Sequence, residues 1–277
     1  MLLLGLTGSI ATGKSTVSTI LHSAPHKLPI IDADVLARKV VEPGTPGYKK
    51  IVAYFLPTTP DLLLTPSEQD SIGGGGADSR GRPLNRPALG RRVFGDDPER
   101  RRDRAILNGI VHPAVRREMY KEILYYFCHG HWAVVLDVPL LFESGLDVIC
   151  GAIMVVAVSD PAVQMRRLRA RNPHLSAEDA EHRVRSQGDV RQKARRAETR
   201  GDGGGVVVWN DGSVEELEKE VGAVMGKVRK RSPQWWAWAL LLVPPLGSVV
   251  VLWNLFQGWR WRRRWDSEQR REKAKQR

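Results

Sequence analysis

The N-terminal segment Gly8–Ser15 fits the phosphate-binding pattern G-x-x-x-x-G-K-[ST] at every fixed position. A glycine turn of this kind presents backbone N–H groups to a polyphosphate, and the positive end of a following helix adds to the attraction. Lys14 would reach the β- and γ-phosphates, and the Ser15 hydroxyl would bind Mg²⁺. The segment therefore predicts a nucleoside triphosphate site. The residues expected to contact the nucleotide are Gly8, Ala11, Thr12, Gly13, Lys14, Ser15 and Thr16.

The residues around this segment predict the strand and helix that a phosphate loop needs. Residues 2–6 form a short apolar run that is typical of a buried strand, and residues 16–21 can begin a helix. Strand, glycine loop and helix in this order is the context in which the pattern has a mechanism. A chance glycine turn before a helix is the alternative.

Two acids follow the second predicted strand. Residues 28–32 read as a strand that ends in Asp32-Ala33-Asp34, and a helix is predicted directly afterwards. Because ligands of an open α/β sheet bind outside the carboxyl ends of its strands, both acids are expected at the same edge as the phosphate loop. Asp32 or Asp34 could orient the metal or accept a proton from an attacking hydroxyl. The alternative is that the pair only caps the helix.

The whole pattern of apolar segments predicts the fold class. The expected strands are residues 2–6, 28–32, 132–138, 152–158 and 206–209. Helical segments alternate with them, which predicts a doubly wound α/β fold with a five-stranded parallel sheet. Arginine-rich helical sequence at 164–171 and 177–187 would form a lid, where an arginine can meet charge developing on a transferring phosphoryl group.

The positive charge of the chain is concentrated at its C-terminal end. The net charge is +12, but residues 227–277 hold 13 Lys/Arg and 3 Asp/Glu, whereas residues 1–226 hold 30 and 28. Affinity for nucleic-acid backbones needs a clustered basic surface, so the nearly neutral body argues against nucleic acid as a partner. Cys128 and Cys150 have no metal-binding or redox spacing, and we expect both to be reduced core residues of a chain facing the cytosol.

A long uncharged segment precedes the basic tail. Residues 235–256 are overwhelmingly apolar, and seven of the nine tryptophans lie at its two ends, as in the aromatic belts of membrane proteins. At helical rise this segment spans roughly 33 Å, enough for a hydrocarbon core. We therefore expect a membrane anchor, with a single span preferred to a shallow hairpin that has Pro244-Pro245 at its apex. Both flanks are basic, and a hairpin would keep them near anionic lipid.

The chain resembles the dephospho-CoA kinase family over about residues 1–226. The resemblance begins with the phosphate loop and Asp32-Ala33-Asp34, and its most specific part is Val-Pro-Leu-Leu-Phe-Glu at 138–143. The further matches, in order, are Gly81–Arg86, Leu89, Val93-Phe94, Asn108, His112-Pro113, Gln164, Arg167, Arg171, Gln187 and Asn210–Ser213. Ser9 and Ala11 depart from the family, which often has glycine there. If either position needs a positive φ, the loop must adjust or nucleotide affinity falls.

The resemblance implies phosphorylation of the ribose 3′-hydroxyl of dephospho-CoA, the last step of coenzyme A synthesis, with ATP and Mg²⁺. By position, Asp34 matches the general base proposed in the family, and Asp32 could share that role. Arg167 matches the lid arginine, so the catalytic candidates are Asp34, Asp32, Lys14 and Arg167. Arg171 and Asn210 join the nucleotide-binding residues, and Ser15 and Asp32 are the metal candidates. The acceptor would contact Arg82, Leu84, Phe94, His112, Pro139, Leu140 and Glu143.

These inferences together predict the organisation of the chain. A P-loop kinase domain would cover residues 1–228, and the anchor and basic tail would cover 229–277. Within the domain we expect a flexible insertion at 57–81, a helical acceptor-binding region at 82–128 and the lid at 160–200. We expect a monomer on a mitochondrial outer membrane or an endoplasmic reticulum type of membrane, with the catalytic domain facing the cytosol. Two alternatives are another small-molecule or nucleoside monophosphate kinase, and a membrane-tethered nucleotide switch, for which a guanine signature Asn-Lys-x-Asp is lacking.

Overall fold

The structure, a computed structural model, describes residues 1–65, 81–173, 181, 184, 190–201 and 204–275. Most of the predicted insertion at 57–81 lies outside the described residues. So does the middle of the predicted lid, including Gln187 and most of the helix expected at 177–187.

A five-stranded sheet forms the centre of the fold, as predicted. The strands are β1 Leu2–Gly8, β2 Ile30–Asp32, β3 Ala133–Asp137, β4 Ala152–Ala157 and β5 Gly205–Trp209. Their order across the sheet is β2-β3-β1-β4-β5, and β1 pairs in parallel with both of its neighbours. Leu4 lies opposite Val135 on one side and Ala152 on the other. The strand that leads into the phosphate loop is therefore the central one.

Helices separate the strands along the chain. They are α1 Lys14–His22, α2 Ala33–Lys39, α3 Pro46–Phe55, α4 Arg86–Val93, α5 Pro98–Cys128, α6 Pro161–Arg171, α7 Val190–Glu198, α8 Val214–Arg231, α9 Gln234–Leu242 and α10 Pro244–Lys275, with a 3₁₀-helix at Leu146–Ile149. Several begin where the sequence supplies a cap. Thr45 accepts from the backbone of Tyr48 at the start of α3, and Ser213 forms a capping box with Glu216 at the start of α8. The helical sequence expected from 86 to 127 is split into α4 and α5, and Gly95 between them has a φ of +143°.

The chain divides into two compact units. One consists of Met1–Ile31 and Ile123–Arg277, and the other of Asp32–Glu122. In the first unit, apolar side chains of β1, β3 and β4 pack with α1 and α8, and every residue of β4 is buried. Continuous burial explains why this strand is apolar throughout rather than alternating. In the second unit, Ile51 and Phe55 of α3 are fully buried against Leu62, Leu84 and Val93.

The C-terminal segment differs from the predicted single span. It is broken after Val243, where α10 begins at Pro244 and a proline cannot donate to continue α9. Across the part of the chain that the structure describes, no helix is both long and apolar enough to cross a bilayer. Parts of the segment are buried in the first unit instead, among them Ala237, Leu240 and Trp265.

Helix α10 packs against the 3₁₀-helix, and a buried ion pair lies beneath the contact. A Cβ on Gly258 would lie 2.2 Å from the carbonyl oxygen of Val148, so the close approach requires glycine. Arg200 donates to an Asp147 carboxylate oxygen at 3.2 Å, and its guanidinium lies 4.9 Å from the ring centre of Trp261 on α10. Burial lowers the pKa of Arg200, while the neighbouring Asp147 opposes that shift.

The two cysteines differ in their surroundings, and the expectation for one of them is wrong. Cys150 is buried, as predicted, whereas Cys128 is exposed at the end of α5. An apolar neighbourhood in the sequence does not decide burial at the last turn of a helix, because successive side chains point in different directions around the axis and only one face is packed.

Candidate active site

The phosphate loop joins the central strand to α1, as the pattern predicts. Gly13 has a φ of +94°, and a Cβ there would lie 2.1 Å from Nδ2 of Asn210, so glycine is required for both conformation and space. Ala11 also has a left-handed φ, of +60°, at the position where the resemblance leads us to expect glycine. An alanine in this conformation costs roughly 1–2 kcal/mol. The loop thus keeps its shape at Ala11 under strain.

Several polar groups of the loop fit a polyphosphate. Helix α1 begins at Lys14 without a side-chain cap among the described residues, so its first N–H groups can bind an anion. The Ser9 hydroxyl is buried, and it lacks a hydrogen-bond partner within the described chain. Buried hydroxyls are usually hydrogen-bonded in folded proteins, so this oxygen is a candidate contact for a phosphate. Ser15 and Thr16 are exposed at the start of α1.

Lys14 forms an ion pair with Asp137, a residue that the sequence reasoning missed. Asp137 is the last residue of β3, next to β1 in the sheet, and its side chain is 4% exposed. A signal was available, because an apolar strand that ends in aspartate places a carboxylate at the carboxyl edge of the sheet, where ligands bind. The position lies directly before the Val-Pro-Leu-Leu-Phe-Glu segment.

Side chains from two distant elements contact the loop. The Gln164 side-chain amide on α6 donates to the carbonyl of Ile10 at 2.7 Å. The Asn210 side-chain amide, just after β5, donates to the carbonyl of Thr12 at 2.9 Å. Arg167 donates to the backbone carbonyl of Asn210 at 2.7 Å. The candidate lid arginine therefore lies on α6, which contacts the phosphate loop, and it binds Asn210, which contacts the loop as well. Arg171, by contrast, is exposed at the end of α6.

The predicted acceptor segment is held from two sides within the first unit. The Thr7 hydroxyl donates to the carbonyl of Pro139 at 2.9 Å. Lys193 on α7 donates to the same carbonyl and also lies 3.3 Å from a carboxylate oxygen of Glu143. The Lys193 side chain is only 6% exposed, and Leu140 is half exposed. Lys193 was not among the predicted residues, because its contact joins positions that are far apart in the chain.

The other predicted residues belong to the second unit. Asp32 is the last residue of β2 and the N-cap of α2, and its carboxylate accepts from the backbone N–H groups of Asp34 and Val35 at 2.7 and 3.2 Å. The structure therefore confirms that Asp32 caps α2, and its roles in binding metal or accepting a proton stay predictions. Asp34 is exposed in the first turn of α2. Among the acceptor candidates, Arg82, Phe94 and His112 are exposed, whereas Leu84 is buried in the core of this unit.

The donor chemistry near the phosphate loop suits Mg²⁺. This ion binds oxygen ligands, keeps several waters, and is commonly held by one or two protein groups together with substrate phosphates. The Ser15 hydroxyl and the Asp137 carboxylate are such groups in the first unit. In the described residues no cluster of three His, Cys, Asp or Glu side chains forms a closed metal site. A site completed by a nucleotide agrees with this pattern.

A parallel α/β sheet whose central strand runs into a phosphate loop, with an arginine helix anchored beside that loop, defines a P-loop kinase. A family model described as dephospho-CoA kinase matches residues 2–216. The chain is 41% identical over 249 residues to dephospho-CoA kinase CAB5 of Saccharomyces cerevisiae, covering 90% of each protein. It is 40% identical over 222 residues to dephospho-CoA kinase of Bacillus cereus, covering 80% of this chain and 94% of that one.

Two solved structures share the fold. TT1252 from Thermus thermophilus has a TM-score of 0.61 at 30% identity, covering 82% of this chain and 97% of that one. Dephospho-CoA kinase from Campylobacter jejuni has a TM-score of 0.52 at 23% identity, with the same coverage. The chain belongs to the dephospho-CoA kinase family, and it is accordingly a kinase, a phosphoryl transferase.

Proposed function

We propose that this chain transfers the γ-phosphoryl group of ATP to the ribose 3′-hydroxyl of dephospho-CoA and so forms CoA. The observation that carries the proposal is the phosphate loop after the central strand, whose lysine forms an ion pair with a buried carboxylate, in a chain of this family. Dephospho-CoA is the acceptor named for the family, and ATP is the donor that kinases of this class use.

The residues of the first unit bind the donor. Backbone N–H groups of the loop and of the first turn of α1 hold the β- and γ-phosphates, and the Ser9 hydroxyl adds one contact. Lys14 exchanges its carboxylate partner, Asp137, for a more highly charged polyphosphate. Ser15 and Asp137 are the residues of this unit that would hold Mg²⁺. When bound, this ion neutralises charge on the β- and γ-oxygens.

The transfer step then needs a base and a cation from the protein. Asp34, exposed on α2, accepts the proton of the 3′-hydroxyl as the hydroxyl oxygen bonds to the γ-phosphorus. The bond from that phosphorus to the β,γ-bridging oxygen breaks, and ADP leaves. Arg167 stabilises the negative charge on the phosphoryl group during transfer. Because arginine stays positively charged near neutral pH, this stabilisation needs no proton transfer. The anchorage of Arg167 on Asn210 limits the conformations that the side chain must lose.

The test is a direct assay with the full chain. Wild type, Lys14→Ala and Asp34→Asn are incubated with Mg²⁺, ATP and dephospho-CoA, and CoA is followed by mass spectrometry. We expect CoA from the wild type and a large loss in both variants. Bound ATP without any CoA would overturn the proposal and favour another small-molecule or nucleoside monophosphate kinase, to be sought with other acceptor hydroxyls.

We also propose that the catalytic units face the cytosol at a mitochondrial outer membrane or endoplasmic reticulum type of membrane, held there by α9 and α10. The two helices leave a run of large apolar side chains exposed. Among them are Leu242, Val249, Leu252 and Trp253, at 77%, 61%, 65% and 57%. Basic residues, among them Arg263 and Arg264, follow on α10. Apolar side chains beside basic ones suit shallow insertion at an anionic lipid surface.

A flotation assay tests this location. The full chain is mixed with vesicles of phosphatidylserine and phosphatidylcholine, or of phosphatidylcholine alone, and is compared with the double variant Leu252→Glu, Trp253→Glu. We expect the wild type to float with the anionic vesicles and the variant to remain below. Wild type that stays in the soluble fraction, both in this assay and in fractionated cells, would overturn the proposal.

A further inference from the structure

Two side-chain amides lie on either side of Ala11 in the phosphate loop. Gln164 donates to the carbonyl of the preceding residue, Ile10, and Asn210 donates to the carbonyl of the following residue, Thr12, at 2.7 and 2.9 Å. Both amide side chains belong to buried residues, which are 5% and 8% exposed. The Asn210 hydrogen bond is buried and the Gln164 hydrogen bond is partly buried, so both are shielded from competing water, which strengthens them.

The residue between these hydrogen bonds is the strained one. Ala11 has a φ of +60°, a region that alanine avoids because its Cβ approaches the following carbonyl. If nothing opposed it, the backbone would rotate so that Ala11 regained a negative φ. The Gln164 hydrogen bond holds the peptide plane between Ile10 and Ala11, which sets the φ of Ala11. The Asn210 hydrogen bond holds the peptide plane between Thr12 and Gly13, one plane further along the loop.

We propose that Gln164 is a positioning residue that holds Ala11 in its left-handed conformation, that Asn210 positions the adjoining Thr12–Gly13 part of the loop, and that the two together preform the phosphate cradle. The loop's own bond from the Thr12 hydroxyl to the Ser9 carbonyl, 2.9 Å long, closes a turn around Ile10 and Ala11, and Gln164 adds to that turn a hydrogen bond from outside the loop. The inference rests on the proposed function of the loop as the ATP site. It assigns the two amides to the loop's shape rather than to direct contact with the nucleotide.

The same two residues also connect the loop to the lid arginine. Gln164 and Arg167 lie three positions apart on α6, hence on one face of the helix, and Arg167 donates to the backbone carbonyl of Asn210. A change that frees the loop from Gln164 therefore leaves the anchorage of Arg167 on Asn210 intact. Loss of loop positioning can thus be separated from loss of the arginine.

The main test variant is Gln164→Met, which keeps the length of the side chain and removes the amide donor. We expect the KM for ATP to rise roughly three- to tenfold, as for the loss of one buried neutral hydrogen bond, with the KM for dephospho-CoA unchanged. The Kd of a fluorescent ATP analogue should rise by the same factor. The matched control is Gln192→Met on α7, whose exposed amide bonds to Gln269 at 3.4 Å and should leave both constants unchanged.

A second substitution decides whether Gln164 acts through Ala11. Glycine adopts a positive φ without the penalty of alanine, so in an Ala11→Gly background the same Gln164→Met change should raise the KM for ATP less than twofold. An equal rise in both backgrounds would overturn the inference, and so would an unchanged KM for ATP in Gln164→Met. A fall in kcat and melting temperature with both KM values constant would also overturn it, since that describes a merely structural residue. Failure of the proposed function looks different, because the wild type itself would then form no CoA.

Discussion

Lys14 at the start of α1 and Asp137 at the end of β3 form an ion pair across 123 residues of sequence. The carboxylate is 4% exposed and the lysine side chain 19% exposed, so the pair is largely removed from water. Because β3 and β1 are neighbours in the sheet, the pair joins the phosphate loop to the strand that precedes the acceptor segment. We regard Asp137 as the group that orients the lysine before nucleotide binds.

Lys14→Met should abolish the response of the protein to ATP. The lysine charge acts on the phosphate oxygens, and loss of one such charge-stabilising group lowers kcat roughly 10²- to 10³-fold. A ligand at 100 times its Kd stabilises a protein by about 2.7 kcal/mol, so Mg-ATP should raise the melting temperature of the wild type but not of the variant. Lys219→Met on the exposed face of α8 is the control and should behave as wild type. A full ATP-induced shift in Lys14→Met would refute this role.

Asp137→Asn should raise the Mg²⁺ concentration needed for half-maximal rate. The substitution keeps the size of the side chain but removes the negative charge that attracts the ion and orients Lys14. The rate of CoA formation, measured as a function of Mg²⁺ at fixed ATP, reports the change. The conservative replacement Asp266→Asn, on the exposed part of α10, should leave the Mg²⁺ curve unmoved. Coincident curves for wild type and Asp137→Asn would mean that this carboxylate has no part in metal binding.

Substitutions of Asp34 and Asp32 should affect different properties of the protein, kcat for Asp34 and the free energy of unfolding for Asp32. Asp34→Asn removes the proposed base and should lower kcat about 10²- to 10⁴-fold, with little change in stability, since the side chain is exposed. Asp32→Ala removes the N-cap of α2 and should cost about 1 kcal/mol of unfolding free energy. Urea unfolding and CoA formation measured on both variants distinguish the roles. If both variants lost kcat equally and had the same free energy of unfolding, both acids would take part in the reaction.

The thiols should react in order of exposure. Burial raises the pKa of Cys150 to about 12, so this thiol carries almost no thiolate at neutral or mildly basic pH. Cys128 is exposed at the end of α5. We expect an alkylating reagent to label Cys128 alone in the native protein and both residues in denaturant, as read by peptide mass. Cys128→Ser should leave the native protein unlabelled, and rapid labelling of Cys150 in that variant would contradict its burial.

Features that depend on neighbouring residues could be predicted well. The phosphate loop, the five strands and the cap at Asp32 each arise from short stretches, in which apolar runs predict buried strands and a glycine-lysine-serine spacing predicts an anion site. The predicted strand ends differ by one or two residues from the observed ones. The break between α4 and α5 at Gly95 was missed, because charged helical sequence continues on both sides of it.

Features that depend on distant residues were decided by the tertiary structure. Asp137, Lys193 and Gln164 acquire their roles only when the sheet order brings them to Lys14, Glu143 and Ile10, which lie 123, 50 and 154 positions away. The C-terminal segment shows the same limit. Its composition suits a membrane span, but the proline break divides it into two helices that pack within the first unit. The amino-acid sequence by itself therefore determined the class of fold, the nucleotide site and the family. The partners of the site residues were decided by tertiary packing, because a contact between distant positions depends on the arrangement of every element between them.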